Sequence, residues 1–88
     1  MKVFKYELDP STQKLELPVA AQVLTVQVQN GCPYIWALVD ETLTTTETRY
    51  FPIYGTGHRM RSGPRTYVGT FQLESGALVF HVFEETLA

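Results

Sequence analysis

The chain has a single cysteine, Cys32, so an internal disulfide is excluded. A lone thiol fits a reducing compartment. No apolar run approaches the roughly 20 residues of a membrane-spanning helix. The opening MKVFKYELDP contains no long apolar stretch of the kind a secretory leader needs, so no signal peptide is expected. Charged residues make up only 18% and hydrophobic residues 44%, a globular rather than disordered composition. Residues 1–88 are short enough to form one domain with a modest core. A soluble intracellular protein is the expectation.

What is present is alternation. KVFKYEL sets Val3, Lys5 and Glu7 against Phe4, Tyr6 and Leu8. VLTVQVQ does the same, and PYIWALVD, TRYFPIYG, TYVGTFQL and ALVFHVFE are rich in β-branched and aromatic residues. Period two bounded by Gly, Pro, Asn or Asp marks strands. No stretch long enough for a regular helix carries a helical period. The pattern predicts an all-β domain of six strands, or seven if KLEL (14–17) pairs, arranged as a small antiparallel sandwich or a partly open barrel.

Two hairpins can be placed in register. Asn30-Gly31 signals a two-residue type I′ turn. Gln29 then opposes Cys32, and the ladder continues through Val28–Pro33, Gln27–Tyr34, Val26–Ile35, Thr25–Trp36, Leu24–Ala37 and Val23–Leu38. Pro33 is tolerable only beside an edge or bulge. One face is core. The other, with Tyr34, Trp36 and Leu38 beside Gln27 and Thr25, is either a partly covered sheet back or an interface with a second copy or another protein. In the second hairpin, a three-residue loop at Glu74-Ser75-Gly76 pairs Leu73 with Ala77, Phe71 with Val79, Gly69 with His81 and Tyr67 with Phe83. Both faces of that ribbon then read as apolar, which predicts a homo-oligomer.

Net charge is −2, which argues against general nucleic-acid binding. Its distribution is uneven. GTGHRMRSGPRT (55–66) holds Arg59, Arg61 and Arg65 and no acid, whereas the rest of the chain has four cations and nine acids. One basic spot on an acidic body suits a compact anion. Paired glycines can turn backbone N–H groups toward such an anion, and arginine offers a planar fork for phosphate. The candidate ligand residues are Tyr54, Gly55, Thr56, Gly57, His58, Arg59, Arg61 and Arg65. The spacing matches neither a nucleotide P-loop nor a dinucleotide fingerprint. The competing reading is a long turn with solvated arginines, although a loop this long in so small a domain usually serves a ligand or partner.

Other chemistry is sparse. His81 reads as a packed histidine opposite Gly69, and His58 as exposed. No spacing joins either histidine to Ser62, Ser75, Asp40 or Glu41 in a catalytic set, so no enzyme is expected. Two separated histidines and one cysteine do not make a zinc site, and no metal or cofactor is expected. Cys32 has no cationic neighbour in sequence and reads as structural. Asp40-Glu41 and Glu84-Glu85 read as solvated strand ends.

The strings VQVQNGCPYIWALVD, YGTGH and YVGTFQLESGALVFHVFE together resemble a family of short uncharacterised proteins of tailed bacteriophages and prophages. The resemblance covers nearly the whole chain. Where relatives read closer to PCLWALVD, this chain reads PYIWALVD, so no role for Cys32 is carried over. The resemblance implies a phage accessory protein in the cytoplasm of an infected bacterial host. Three functions remain open. One is a binding module that counters host defence by sequestering a small nucleotide-type ligand, with Tyr34, Trp36 or Tyr54 stacking on a base. Another is an inhibitor or adaptor that binds a host protein through the Tyr34/Trp36 face or an open strand edge. The third is a structural phage component.

Overall fold

A computed structural model describes residues 1–86. The domain is all-β: β1 (Lys2–Glu7), β2 (Lys14–Pro18), β3 (Gln22–Gln29), β4 (Cys32–Val39), β5 (Thr46–Tyr50), β6 (Ile53–Gly55), β7 (Arg65–Leu73) and β8 (Leu78–Glu85). One three-residue 3-10 turn, Glu74–Gly76, joins the last two strands. Two antiparallel sheets form. One has the order β1-β4-β3; in the other β2, β5, β8 and β6 follow in turn, with β7 on the far side of β8. The sheets pack face to face as a sandwich and do not close into a barrel.

The alternation is clearest in β4. Pro33, Ile35, Ala37 and Val39 are buried, and Cys32, Tyr34, Trp36 and Leu38 lie on the opposite face. Val26, Leu17, Phe51, Phe71 and Val82 complete much of the core, which also takes in Leu8 and Ala21. Among the described residues no polar or charged side chain is buried, as expected when nothing inside can pair one. Pro33 sits just past the Glu7–Tyr34 pair that ends β1, and its carbonyl accepts from the Leu8 N–H at 3.0 Å. The ladder therefore loses little from its missing donor.

KLEL is a strand, which pairs with β5. TRYFPIYG is two strands rather than one. β5 and β6 lie end to end beside β8, through Tyr50–Glu85 and then Ile53–Val82. Between them Phe51 turns into the core and donates its N–H to the Gln13 carbonyl at 2.7 Å, while Pro52 has no N–H to give.

The first hairpin follows the Asn-Gly turn from Gln29–Cys32 to Thr25–Trp36. Beyond that a bulge intervenes, so Val23, not Leu24, opposes Ala37, and Gln22 opposes Leu38. The extra residue shifts the phase of β3, and Leu24, expected in the core, is 44% exposed. In the second hairpin the loop takes four residues, not three. Glu74 and Ser75 both have φ of 54°, and the Ala77 N–H bonds the Glu74 carbonyl at 3.0 Å. The register therefore slips by one: Phe71 opposes Phe80, Thr70 opposes His81 and Gly69 opposes Val82. A bulge at Val68 restores the expected Tyr67–Phe83 pair.

The slip exchanges faces. His81 does not fill the space above Gly69; it sits on the outer face. That face also bears Thr70 and Gln72, so the ribbon is not apolar on both sides. Gly69 instead makes room for the other sheet: an added Cβ would stand 2.7 Å from Val26 Cγ1. Gly69→Ala is expected to cost about 1–3 kcal/mol by overpacking. Urea denaturation checks it, and an unchanged midpoint would show that the sheets do not meet there.

Candidate functional site

The segment GTGH is a tight turn. The His58 N–H donates to the Gly55 carbonyl at 3.0 Å, and Gly57 has φ of +84°. This is the type II arrangement, which needs glycine at its third position. Gly55 lies under the His58 ring, where a Cβ would come 2.7 Å from Nδ1. The Thr56 N–H donates to the Val79 carbonyl at 3.2 Å. Both glycines thus have a conformational reason, and the N–H groups of Thr56 and His58 are engaged within the fold rather than turned toward a common anion.

The arginines divide. Arg59 is exposed and makes no hydrogen bond or ion pair among the described residues. Arg61 donates through Nη2 to the Tyr50 hydroxyl at 2.9 Å and to Glu85 at 3.1 Å, and its guanidinium lies 5.3 Å from the Tyr50 ring centre. Arg65 donates to the other Glu85 oxygen at 3.2 Å and to the Arg61 carbonyl, and stands 5.8 Å from the Phe83 ring centre. The Tyr54 hydroxyl also donates to Glu85, at 2.7 Å. Tyr54, Arg61 and Arg65 therefore converge on Glu85. The GTGH turn lies at the other end of β8, beside Phe80, about 17 Å along the strand.

Glu85 is the residue that sequence reasoning missed. Read as a solvated strand end, its side chain is only 10% exposed. Glu84 is likewise not free: it takes a two-pronged pair from Arg49 at 2.6 and 2.8 Å. No spacing signal links residues 49, 54, 61 and 65 to 84 and 85; the long-range pairing of β5, β6 and β7 with β8 brings them together.

Burial pushes the Glu85 carboxyl up, but the Tyr54 and Arg65 hydrogen bonds, with the charges of Arg61 and Arg65, outweigh it and hold the group below its ordinary 4.5. A carboxylate depressed in the folded state stabilises the fold fully above its unfolded value. That contribution is lost as pH falls through the lower folded value. Unfolding free energy should therefore decline below about pH 5, and Glu85→Gln should flatten part of that decline. Urea midpoints of both proteins between neutral and acid pH check this; parallel profiles would refute it.

Around this cluster the surface is concave. A cleft of about 810 Å³ runs between loop residues Arg61–Pro64 and the Thr12, Lys14 and Tyr50 side, with Glu85 at its base. A second groove of about 640 Å³ continues past Pro64 to Arg49, Arg65 and Glu84. Further along the same outer face, His81 bridges two hydroxyls: Nε2 meets Thr56 at 2.6 Å and Nδ1 meets Thr70 at 3.0 Å. Tyr67, 58% exposed, bonds Thr70 at 2.6 Å and packs edge-on against Phe83. No acid orients the imidazole, so the set lacks the third member of a nucleophilic triad.

Tyr34, Trp36 and Leu38 share the outer face of the three-stranded sheet and are half-buried. Lys5 Nζ reaches over them, 4.9 Å from the Tyr34 ring centre and 5.8 Å from that of Trp36. Trp36 Nε1 is enclosed and has no acceptor among the described residues. Cys32 is half-buried and free. Among the described residues no His/Cys/Asp/Glu group has the arrangement of a metal site, and no helix is long and apolar enough to cross a membrane.

Fold and site together define a small antiparallel β-sandwich with an arginine–tyrosine–carboxylate cluster on one outer face. The chain belongs to the family described as a domain of unknown function (DUF7352), which matches residues 1–88. No curated protein and no solved structure matches it.

Proposed function

We propose that the domain is a non-enzymatic binding module for a small anionic ligand of nucleotide type. One observation carries the reading: Lys14 and Arg61 face one cleft, with Tyr50 between them. The cleft is within the usual size of small-molecule sites. Arg61 is held by Tyr50 and Glu85 through Nη2, and its side chain stays 63% exposed, so the guanidinium can also meet phosphate oxygens. Tyr50 supplies aromatic surface for a base. Arg65 is tied to Glu85 and positions Arg61 through its backbone carbonyl. The resemblance to phage proteins supports a role in the infected bacterial cytoplasm, where sequestering a host signalling nucleotide would counter defence.

Isothermal titration against cyclic and linear nucleotides tests the reading. Saturable heat that weakens with salt is expected, and Arg61→Ala should lower affinity about tenfold or more. The absence of heat with every nucleotide would overturn it.

A further inference from the structure

Strand β1 is an open edge. Among the described residues it pairs only with β4, and every residue in it except Tyr6 is exposed. The Leu8–Pro33 hydrogen bond sets the phase of that pairing. Lys2, Phe4 and Tyr6 bond inward to β4, so Val3, Lys5 and Glu7 present their N–H and C=O groups to the outside. Val3 is 52% exposed and Phe4 43%. An unpaired edge with apolar side chains on both faces is a template for another strand.

Edge lysines normally guard against that. Here Lys5 is withdrawn: it crosses β4 above Tyr34 and Trp36 to bond Gln29 of β3. Of the other long edges, β2 carries Pro18 and the charges of Lys14 and Glu16, while β3, which is bulged, and β7 lean against one another at the Val26–Gly69 contact.

We propose that the β1 edge pairs antiparallel with the same edge of a second copy of this chain, about a two-fold axis at Phe4. A two-fold perpendicular to the sheet places residues of one face opposite each other. Within Lys2–Glu7 the overlap of the two strands is longest with the axis at Phe4 or at Lys5; an axis at Val3 would overlap only Lys2–Phe4, and one at Tyr6 only Lys5–Glu7. An axis at Lys5 would set two lysines directly opposite, which is unfavourable. An axis at Phe4 stacks the two Phe4 rings at a non-hydrogen-bonded position, where side chains come closest. It also sets Val3 opposite Lys5 of the second copy, exchanging both backbone hydrogen bonds, and Lys2 opposite Tyr6 of the second copy, a cation beside an aromatic ring. The two three-stranded sheets become one of six, and Phe4 is covered.

Sedimentation velocity over a dilution series of the full chain reads the state directly. A dimer that dissociates on dilution is expected. Val3→Pro removes only an outward N–H, so it should leave the β1–β4 ladder and the far-ultraviolet spectrum intact while giving a monomer. In a Cys32→Ser background, Phe4→Cys should form a disulfide-linked dimer under mild oxidation, because non-hydrogen-bonded pairs lie within disulfide reach. Lys2→Cys in the same background should not. A monomer at every concentration, a dimer indifferent to Val3→Pro, or equal cross-linking at Lys2 and Phe4 would each overturn the proposal. If Val3→Pro does not fold, the cross-linking pair decides alone.

Discussion

Phe51→Ala is expected to remove about 3–5 kcal/mol of stability, the largest single loss in the domain. Phe51 is fully buried and is the largest of the fully buried side chains. It lies where β5 breaks from β6, so its ring points inward at a place where no strand neighbour can substitute. Small domains hold about 5–15 kcal/mol in total, and one of this length sits near the lower end. The variant should therefore unfold at a far lower urea concentration or show no cooperative transition. Phe51→Leu keeps most of the volume and should cost about 1.5 kcal/mol or less. If the two variants unfold alike, the loss does not come from a cavity.

Arg49→Ala should be the next most damaging change, at about 2–4 kcal/mol. The guanidinium is anchored three ways: twice to Glu84, and at 2.6 Å to the carbonyl of Ala21. Only 17% of the Arg49 side chain and 24% of Glu84 are exposed, so solvent replaces these partners poorly. Truncation strands a carboxylate and a backbone carbonyl beside the core. Arg49→Lys keeps the charge without the fork and should fall between. The double variant Arg49→Leu, Glu84→Leu should be less destabilised than Arg49→Leu alone, since no charge is left unpaired. Equal losses from the single and double variants would show that the pair is solvated in effect.

How far the fold could be read depended on where local chemistry fixed the geometry. Asn30-Gly31 dictates a two-residue turn, so pairing from Gln29–Cys32 to Thr25–Trp36 follows from that dipeptide and the alternation around it. At Glu74-Ser75-Gly76 the glycine fits loops of three or four residues equally well. One residue of difference moved His81 from the partner of Gly69 to the partner of Thr70. The face it occupies, and the hydroxyls of Thr56 and Thr70 that hold it, were hidden by that step. Leu24 was misplaced for a related reason: a bulge carries no mark in VLTVQVQ, where either neighbouring apolar residue can face inward.

The basic segment shows the same division. The excess of arginine over acid in residues 55–66 is plain in the chain, and Tyr54, Arg61 and Arg65 do come together. The paired glycines suggested an anion cradle but form a turn under the His58 ring. The carboxylate that organises the arginines is Glu85, twenty or more positions away and outwardly an ordinary strand-end acid.

The amino-acid sequence by itself determined that this protein is built of strands, which residues of β4 face the core, the register of one hairpin, and the place where positive charge concentrates. Each of these rests on neighbours within a few positions, through side-chain alternation and turn conformation. The tertiary structure alone decided the bulges at Leu24 and Val68, the break at Phe51-Pro52, the Gly69–Val26 contact, the Glu85 cluster and the open edge of β1. Those depend on packing one sheet against another and on pairing strands far apart in the chain. Such contacts set whether a local choice among near-equal conformations is the one that folds.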